Sequence, residues 1–111
     1  MDLNTRSQGN VLVIECNVES IDAANVGQFR SMMQSVLAGQ KNAVLDMSRI
    51  AFVDSSGLGA LIACLRELSV RKGDFRLAGM NDSVRALFEL MCMHKVFSIH
   101  DTVEGAVESF A

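Results

Sequence analysis

Short β-prone runs and stretches of helical period alternate along this chain, and no proline interrupts them. Val11-Leu12-Val13-Ile14-Glu15-Cys16 is a compact β-prone run, and the Gly9-Asn10 turn pair before it lets Leu3 to Ser7 fold back as a hairpin arm. Val26, Phe29, Met33, Val36 and Leu37 then recur at helical spacing, and Gly39 is placed to end that helix. Asn42 to Met47 returns to a strand pattern. Leu58, Leu61, Ile62, Leu65 and Leu68 form the apolar face of a second helix that Gly73 closes, and Phe75-Arg76-Leu77-Ala78 is a further strand. Asn81-Asp82-Ser83 can cap a third helix with Val84, Leu87, Phe88 and Met91 inward. Val96-Phe97-Ser98-Ile99 reads as a last strand. Asp101-Thr102-Val103-Glu104 resembles a capping box opening a terminal helix, with Val103, Ala106, Val107 and Phe110 inward. The order β-β-α-β-α-β-α-β-α predicts one α/β domain over residues 1–111. Its sheet should be mixed and mainly parallel, of about five strands with about four helices, right-handed crossovers and an antiparallel N-terminal hairpin.

Composition excludes several roles. A length of 111 residues suits a single domain. With 10 basic against 13 acidic residues, a phosphate-tracking surface is not expected, and neither is direct nucleic-acid binding. The apolar stretches are broken by charges well short of the roughly 20 residues that span a bilayer, so no membrane insertion is expected. Met1-Asp2-Leu3-Asn4-Thr5-Arg6 shows no basic region followed by an apolar block, which predicts a cytoplasmic protein. Cys16, Cys64 and Cys92 are odd in number and have apolar neighbours, so they read as reduced core thiols. Met32, Met33, Met91 and Met93 read as core or near-core packing.

The chemistry concentrates in Phe52-Val53-Asp54-Ser55-Ser56-Gly57-Leu58-Gly59, where two hydroxyls follow an apolar run and directly precede a helix. A helix N-terminus offers unpaired N–H groups and about half a positive charge, which stabilise an anion. The simplest reading makes Ser55 or Ser56 the helix N-cap. A nucleophile elbow would need Gly two positions before the serine, where Val53 and Asp54 stand instead, and neither His94 nor His100 has an orienting pattern for a general base. Cys92-Met93-His94 is a lone pair of metal-type ligands, where a structural zinc needs about four. Gly57-Leu58-Gly59 falls short of a dinucleotide fingerprint, and no phosphate loop is present. No metal and no cofactor are implied.

Val44-Leu45-Asp46-Met47-Ser48 followed by Phe52 to Gly59 resembles the signature of STAS domains, and more specifically the bacterial anti-sigma factor antagonists. The resemblance runs along nearly the whole chain: Ile21-Asp22-Ala23-Ala24-Asn25 before the first helix, Ala78-Gly79-Met80 and Val84 to Phe88 after the second, and Asp101 to Ala106 at the end. It implies that Ser55 is phosphorylated by the partner, an anti-sigma factor that is itself a serine kinase. The unphosphorylated antagonist would bind that kinase and release the sigma factor, and a PP2C-type phosphatase would reverse the modification. The implied partner-binding residues are Asp22, Asp54, Ser55, Ser56, Gly57 and Leu58, with no catalysis by the chain itself. The same resemblance also admits a STAS subunit of a stress-signalling scaffold or of a lipid-transport ABC complex. Glu19 stands where the family usually has Gly, which implies a different backbone turn beside the presumed binding face.

Overall fold

The computed structural model describes residues 1–111. The N-terminal hairpin consists of β1 (Leu3–Gln8) and β2 (Val11–Cys16), antiparallel from Leu3 opposite Cys16 to Gln8 opposite Val11. After β3 (Ser20–Ile21) come α1 (Val26–Leu37), β4 (Asn42–Asp46), β5 (Phe52–Val53), α2 (Ser55–Val70) and β6 (Asp74–Ala78). Then follow α3 (Asp82–Leu90), a 3-10 turn (Met93–Lys95), β7 (Ile99–His100) and α4 (Val103–Glu108). The main sheet has five strands in the order β1-β2-β4-β6-β7, and every pairing beyond the hairpin is parallel. The predicted mixed sheet, four helices and N-terminal hairpin are all present.

Strand alternation divides the interior in two. Leu12, Ile14, Ala43, Leu45, Phe75 and Leu77 point toward Phe29, Met33 and Leu37 of α1, Leu58, Leu61 and Leu68 of α2, and Val84 and Phe88 of α3. Val11, Val44 and Ala78 point to the opposite face, where Ala106 of α4 covers them with Val103, Val107 and Phe110. The β2 residues Val11 to Ile14 are buried on both faces, which is why they read as a continuous apolar run.

Several local expectations are corrected. The last strand is shorter and later than Val96–Ile99: Val96 is exposed, Phe97 is buried beside Phe88, and pairing begins where Ser98 C=O accepts from Leu77 N–H at 3.0 Å. The cause is the 3-10 turn, entered through Cys92 in the left-handed region at φ 58°. Because α3 stops at Leu90, Met91 and Cys92 lie outside the core, and only Cys16 and Cys64 are buried thiols. The terminal helix is capped by Thr102, whose Oγ1 accepts from Gly105 N–H at 3.0 Å. Glu104 therefore does not complete a capping box, and Asp101 pairs with Arg85 at 2.6 Å instead. At the end of α2 it is Lys72, at φ 64°, that turns the chain. Gly73 serves a close approach there: a Cβ on it would lie 1.6 Å from the Lys41 carbonyl oxygen.

Candidate functional site

The site is built on a second, two-stranded parallel sheet in which Ser20 pairs with Phe52 and Ile21 with Val53. Two residues per strand are too few to show a period, so sequence reading passes over both strands. This small ladder puts the loop entering α1 beside the loop entering α2. Asp54 then ties them together. Its backbone is extended, at φ −95° and ψ −175°, and its Oδ1 accepts from Gly57 N–H at 2.9 Å as the N-cap of α2. Its Oδ2 accepts from Ala23 N–H at 3.0 Å, across to the other loop. The cap is thus Asp54, and neither Ser55 nor Ser56 fills it: a carboxylate one residue earlier already has the extended backbone and the short reach that an N-cap needs.

The consequence falls on Ser55. It is the first residue of α2, exposed, and its hydroxyl is not used by the cap. Ser56 follows, half-buried. Gly57 and Leu58 lie inward, Leu58 being 4% exposed. A Cβ on Gly57 would sit 2.3 Å from the Ile21 carbonyl oxygen and 2.9 Å from Val53 Cγ1, so only glycine lets α2 rest this close to the small sheet. Of the residues singled out in the sequence, Asp22, Asp54, Ser55 and Ser56 therefore form the accessible group, and Gly57 and Leu58 support it from beneath.

Asp22 organises the neighbouring loop. Its Oδ2 accepts from the Ser20 hydroxyl at 2.7 Å and its Oδ1 from Ala24 N–H at 2.9 Å. Those two bonds, Ser20 first, hold its carboxyl below the usual carboxylate range. Asn25 completes the turn, its Oδ1 accepting from Asp22 N–H at 2.9 Å and its Nδ2 donating to Ser20 C=O at 2.7 Å. Ser20 and Asn25 lie in the loop that the sequence marks beside the binding face, but their part in holding Asp22 is not read there; a Ser-x-Asp-x-x-Asn spacing ahead of a helix is the signal that could have found it. Glu19 keeps a negative φ, and its carbonyl accepts from Ala51 N–H at 2.7 Å. The backbone at that point needs no glycine.

The other chemistries find little material. No three His, Cys, Asp or Glu side chains converge as metal ligands. His100 is engaged with the Ser98 hydroxyl at 2.8 Å on β7, and His94 lies exposed in the 3-10 turn. No helix is long and apolar enough to cross a membrane.

Fold and site together define a small α/β domain that presents a free serine at a braced helix N-terminus. The chain belongs to the STAS domain family, whose model matches residues 2–106. A relative in Bordetella bronchiseptica, named as the anti-sigma factor antagonist BtrV, is 25% identical over 100 residues, which are 89% of this chain and 86% of that one. The crystal structure of a Thermotoga maritima protein described as an anti-sigma factor antagonist superposes with a TM-score of 0.87 at 23% identity, covering 96% of this chain and 92% of that one. The Bacillus cell fate determinant SpoIIAA in its phosphorylated form superposes with a TM-score of 0.71 at 20% identity, covering 99% of this chain and all of that one. At these identities the two structures establish a shared fold.

Proposed function

We propose that this chain is an anti-sigma factor antagonist whose binding is switched by phosphorylation of Ser55. Unmodified, it binds an anti-sigma factor serine kinase through Asp22, Asp54, Ser55 and Ser56, with Gly57 and Leu58 setting their position, and the sigma factor is released. In the transfer step a bond forms between Ser55 Oγ and the γ-phosphorus of ATP. The bond from that phosphorus to the bridging oxygen breaks, ADP leaves, and the hydroxyl proton passes to a base on the kinase. A PP2C-type phosphatase hydrolyses the ester and restores the binding form. The antagonist contributes the acceptor and the docking face, and no catalytic group.

The observation that carries this reading is the division of labour between Asp54 and Ser55. Because the carboxylate caps the helix, the adjoining hydroxyl is exposed and spare. The names of the relatives point the same way. The energetics fit a switch of binding and not of folding. A phosphoserine adds about −1.5 to −2 charges. At Ser55 the helix dipole favours them by roughly 0.3–1 kcal/mol, and the neighbouring Asp54 carboxylate opposes them on a similar scale. Buried against a partner without a counter-charge, the same group costs roughly 3–5 kcal/mol, a hundredfold to thousandfold loss of affinity.

The test is to isolate the kinase that the unmodified chain retains from its own cell, supply ATP, and locate the phosphate by peptide mass spectrometry. Modification of Ser55 with release of the complex is the expected result. Modification of Ser56, a bound kinase that modifies nothing, or retention of an ABC ATPase would each overturn the assignment.

A further inference from the structure

Helices α1 and α2 lie side by side with their N-termini joined through Asp54 and Ala23, and their C-terminal ends joined where Arg71 donates to the Leu37 carbonyl at 2.8 Å. They therefore run parallel, and residues at equal depth face each other. Arg30 of α1 faces Gly59 of α2: a Cβ on Gly59 would be 3.6 Å from an Arg30 guanidinium nitrogen. A groove of about 220 Å³ runs along this seam, with Arg30, Cys64 and Glu67 on its walls.

Two facts about Arg30 stand out. It takes part in none of the five ion pairs of the chain, which occupy Arg6, Arg71, Arg76 and Arg85. The carboxylate that shares its groove, Glu67, and the two at the N-terminal ends of α1 and α2 are already engaged. Glu67 is held by Arg71 at 2.9 Å, Asp54 accepts from Gly57 and Ala23, and Asp22 accepts from Ser20 and Ala24. Arg30 is also exposed, so its guanidinium is free to swing.

Ser55 and Ser56 stand four and three residues before Gly59 on α2, on the same helix face and about 5–6 Å from it between Cβ atoms. Arg30 rests in the groove beside Gly59 and Cys64, about one turn along the seam from the serines, and a rotamer change of this exposed side chain carries its guanidinium that turn toward them. The phosphorus of a phosphoserine lies about two bonds beyond Cβ, and its oxygens one bond further, within the sweep of a guanidinium that already touches the Gly59 position. Arginine suits this task because its planar fork can donate two parallel bonds to one phosphate.

We propose that Arg30 is the intramolecular counter-charge for a phosphate on Ser55, drawing the modified side chain down onto the α1–α2 seam. The proposal rests on Ser55 being the acceptor. It adds that the modified state is organised by the chain's own cation, which is thereby withdrawn from any partner.

The experiment uses full-length chain with phosphoserine installed at position 55 during synthesis, so that no kinase is needed. Phosphorus NMR follows the second phosphate ionisation, ordinarily near about pH 6. In the wild type the Arg30 charge should hold that midpoint low. In Arg30→Gln it should rise by about half a unit or more, less than the 1–3 units of a close ion pair because the site is open to salt and water. Arg30→Lys should return most of the shift, and Arg66→Gln, farther along α2, should match the wild type. An unchanged midpoint in Arg30→Gln overturns the proposal. So does a rise that Arg30→Lys leaves in place, or one that Arg66→Gln reproduces. Failure of a kinase to choose Ser55 is read separately, by mass spectrometry on unmodified chain, and leaves this comparison intact.

Discussion

Asp54 and Ala23 are 31 positions apart in the chain, yet a single carboxylate oxygen of the first accepts the backbone N–H of the second at 3.0 Å. The other oxygen of that carboxylate caps α2. One side chain thus fixes both the helix that carries Ser55 and the loop that carries Asp22.

Removing that side chain should therefore cost more than an ordinary cap. Asp54→Ala is expected to lose about 2 kcal/mol, the upper end of the range for N-caps, because a second N–H is orphaned as well. Asp54→Asn can still accept at the cap and should lose less than half as much. Urea denaturation of the two variants beside the wild type measures the difference. Equal losses would mean that the cap bond to Gly57, which an amide can still accept, contributes nothing, whereas an Asp54→Asn variant as stable as the wild type would mean that the Ala23 contact contributes nothing.

Ser55→Ala and Ser55→Asp should both fold, with melting temperatures within a few degrees of the wild type. An acidic first-turn residue is favoured by the helix dipole, whereas the cap itself is supplied by Asp54. Ser55→Ala should bind the kinase and resist modification. Ser55→Asp, with one charge in place of nearly two, should bind more weakly by about tenfold to a hundredfold, a loss of roughly 1.4–2.8 kcal/mol. Calorimetric titration with the kinase reads both. Tight binding by folded Ser55→Asp would show that charge at this position is not the switch.

The glycines of α2 should part company. In Gly57→Ala the new methyl meets the Ile21 carbonyl oxygen at 2.3 Å, so the helix must back away from the small sheet, at a cost of about 2 kcal/mol or more. In Gly59→Ala the nearest atom is 3.6 Å away, and helix propensity should raise stability by about 0.5–1 kcal/mol. Thermal unfolding of the two variants settles the sign of each.

Thiol chemistry should single out Cys92. It is exposed, whereas burial pushes the Cys16 thiol up to about 11, helped by the nearby Asp46 charge, and the Cys64 thiol up to about 12, helped by Glu67. A thiol reagent on native protein should label one equivalent quickly and the other two only on unfolding. The raised values also set a pH dependence. Below an ordinary thiol value of 9.0 both states keep their protons and stability is unaffected. As the pH climbs from there toward 11–12, the unfolded chain loses protons that the native one retains, so stability falls. Cys16→Ala and Cys64→Ala should each flatten that alkaline slope. Rapid labelling of all three thiols in the native state would contradict the buried assignments.

Period and turn chemistry made the main sheet readable, because β2 and β4 are apolar runs and α1 repeats Phe29, Met33 and Leu37 on one face. What escaped reading is what depends on contacts distant in sequence. Val96-Phe97 has the composition of a strand, but Phe97 is drawn under Phe88 by the 3-10 turn, which no local pattern announces. Gly73 looks like a helix terminator, whereas it is required by the Lys41 backbone passing against it. At the site, Ser55 stood out as a residue, but the reason its hydroxyl is spare did not. Asp, Ser and Ser are all good N-caps, and only the backbone of Asp54 decides among them.

Helix α2 is fastened at both ends. Its start is wedged by Gly57 on Ile21 and tied by Asp54, and its far end is tied by Arg71 to the Leu37 and Gln40 carbonyls, with Gly73 pressed on Lys41. A rod fixed in this way cannot slide along its axis, so it makes a poor piston. A charge added at Ser55 would find no sliding motion of α2 to carry it to the opposite end of the domain. Its message has to be read where it is written, by whatever touches that surface.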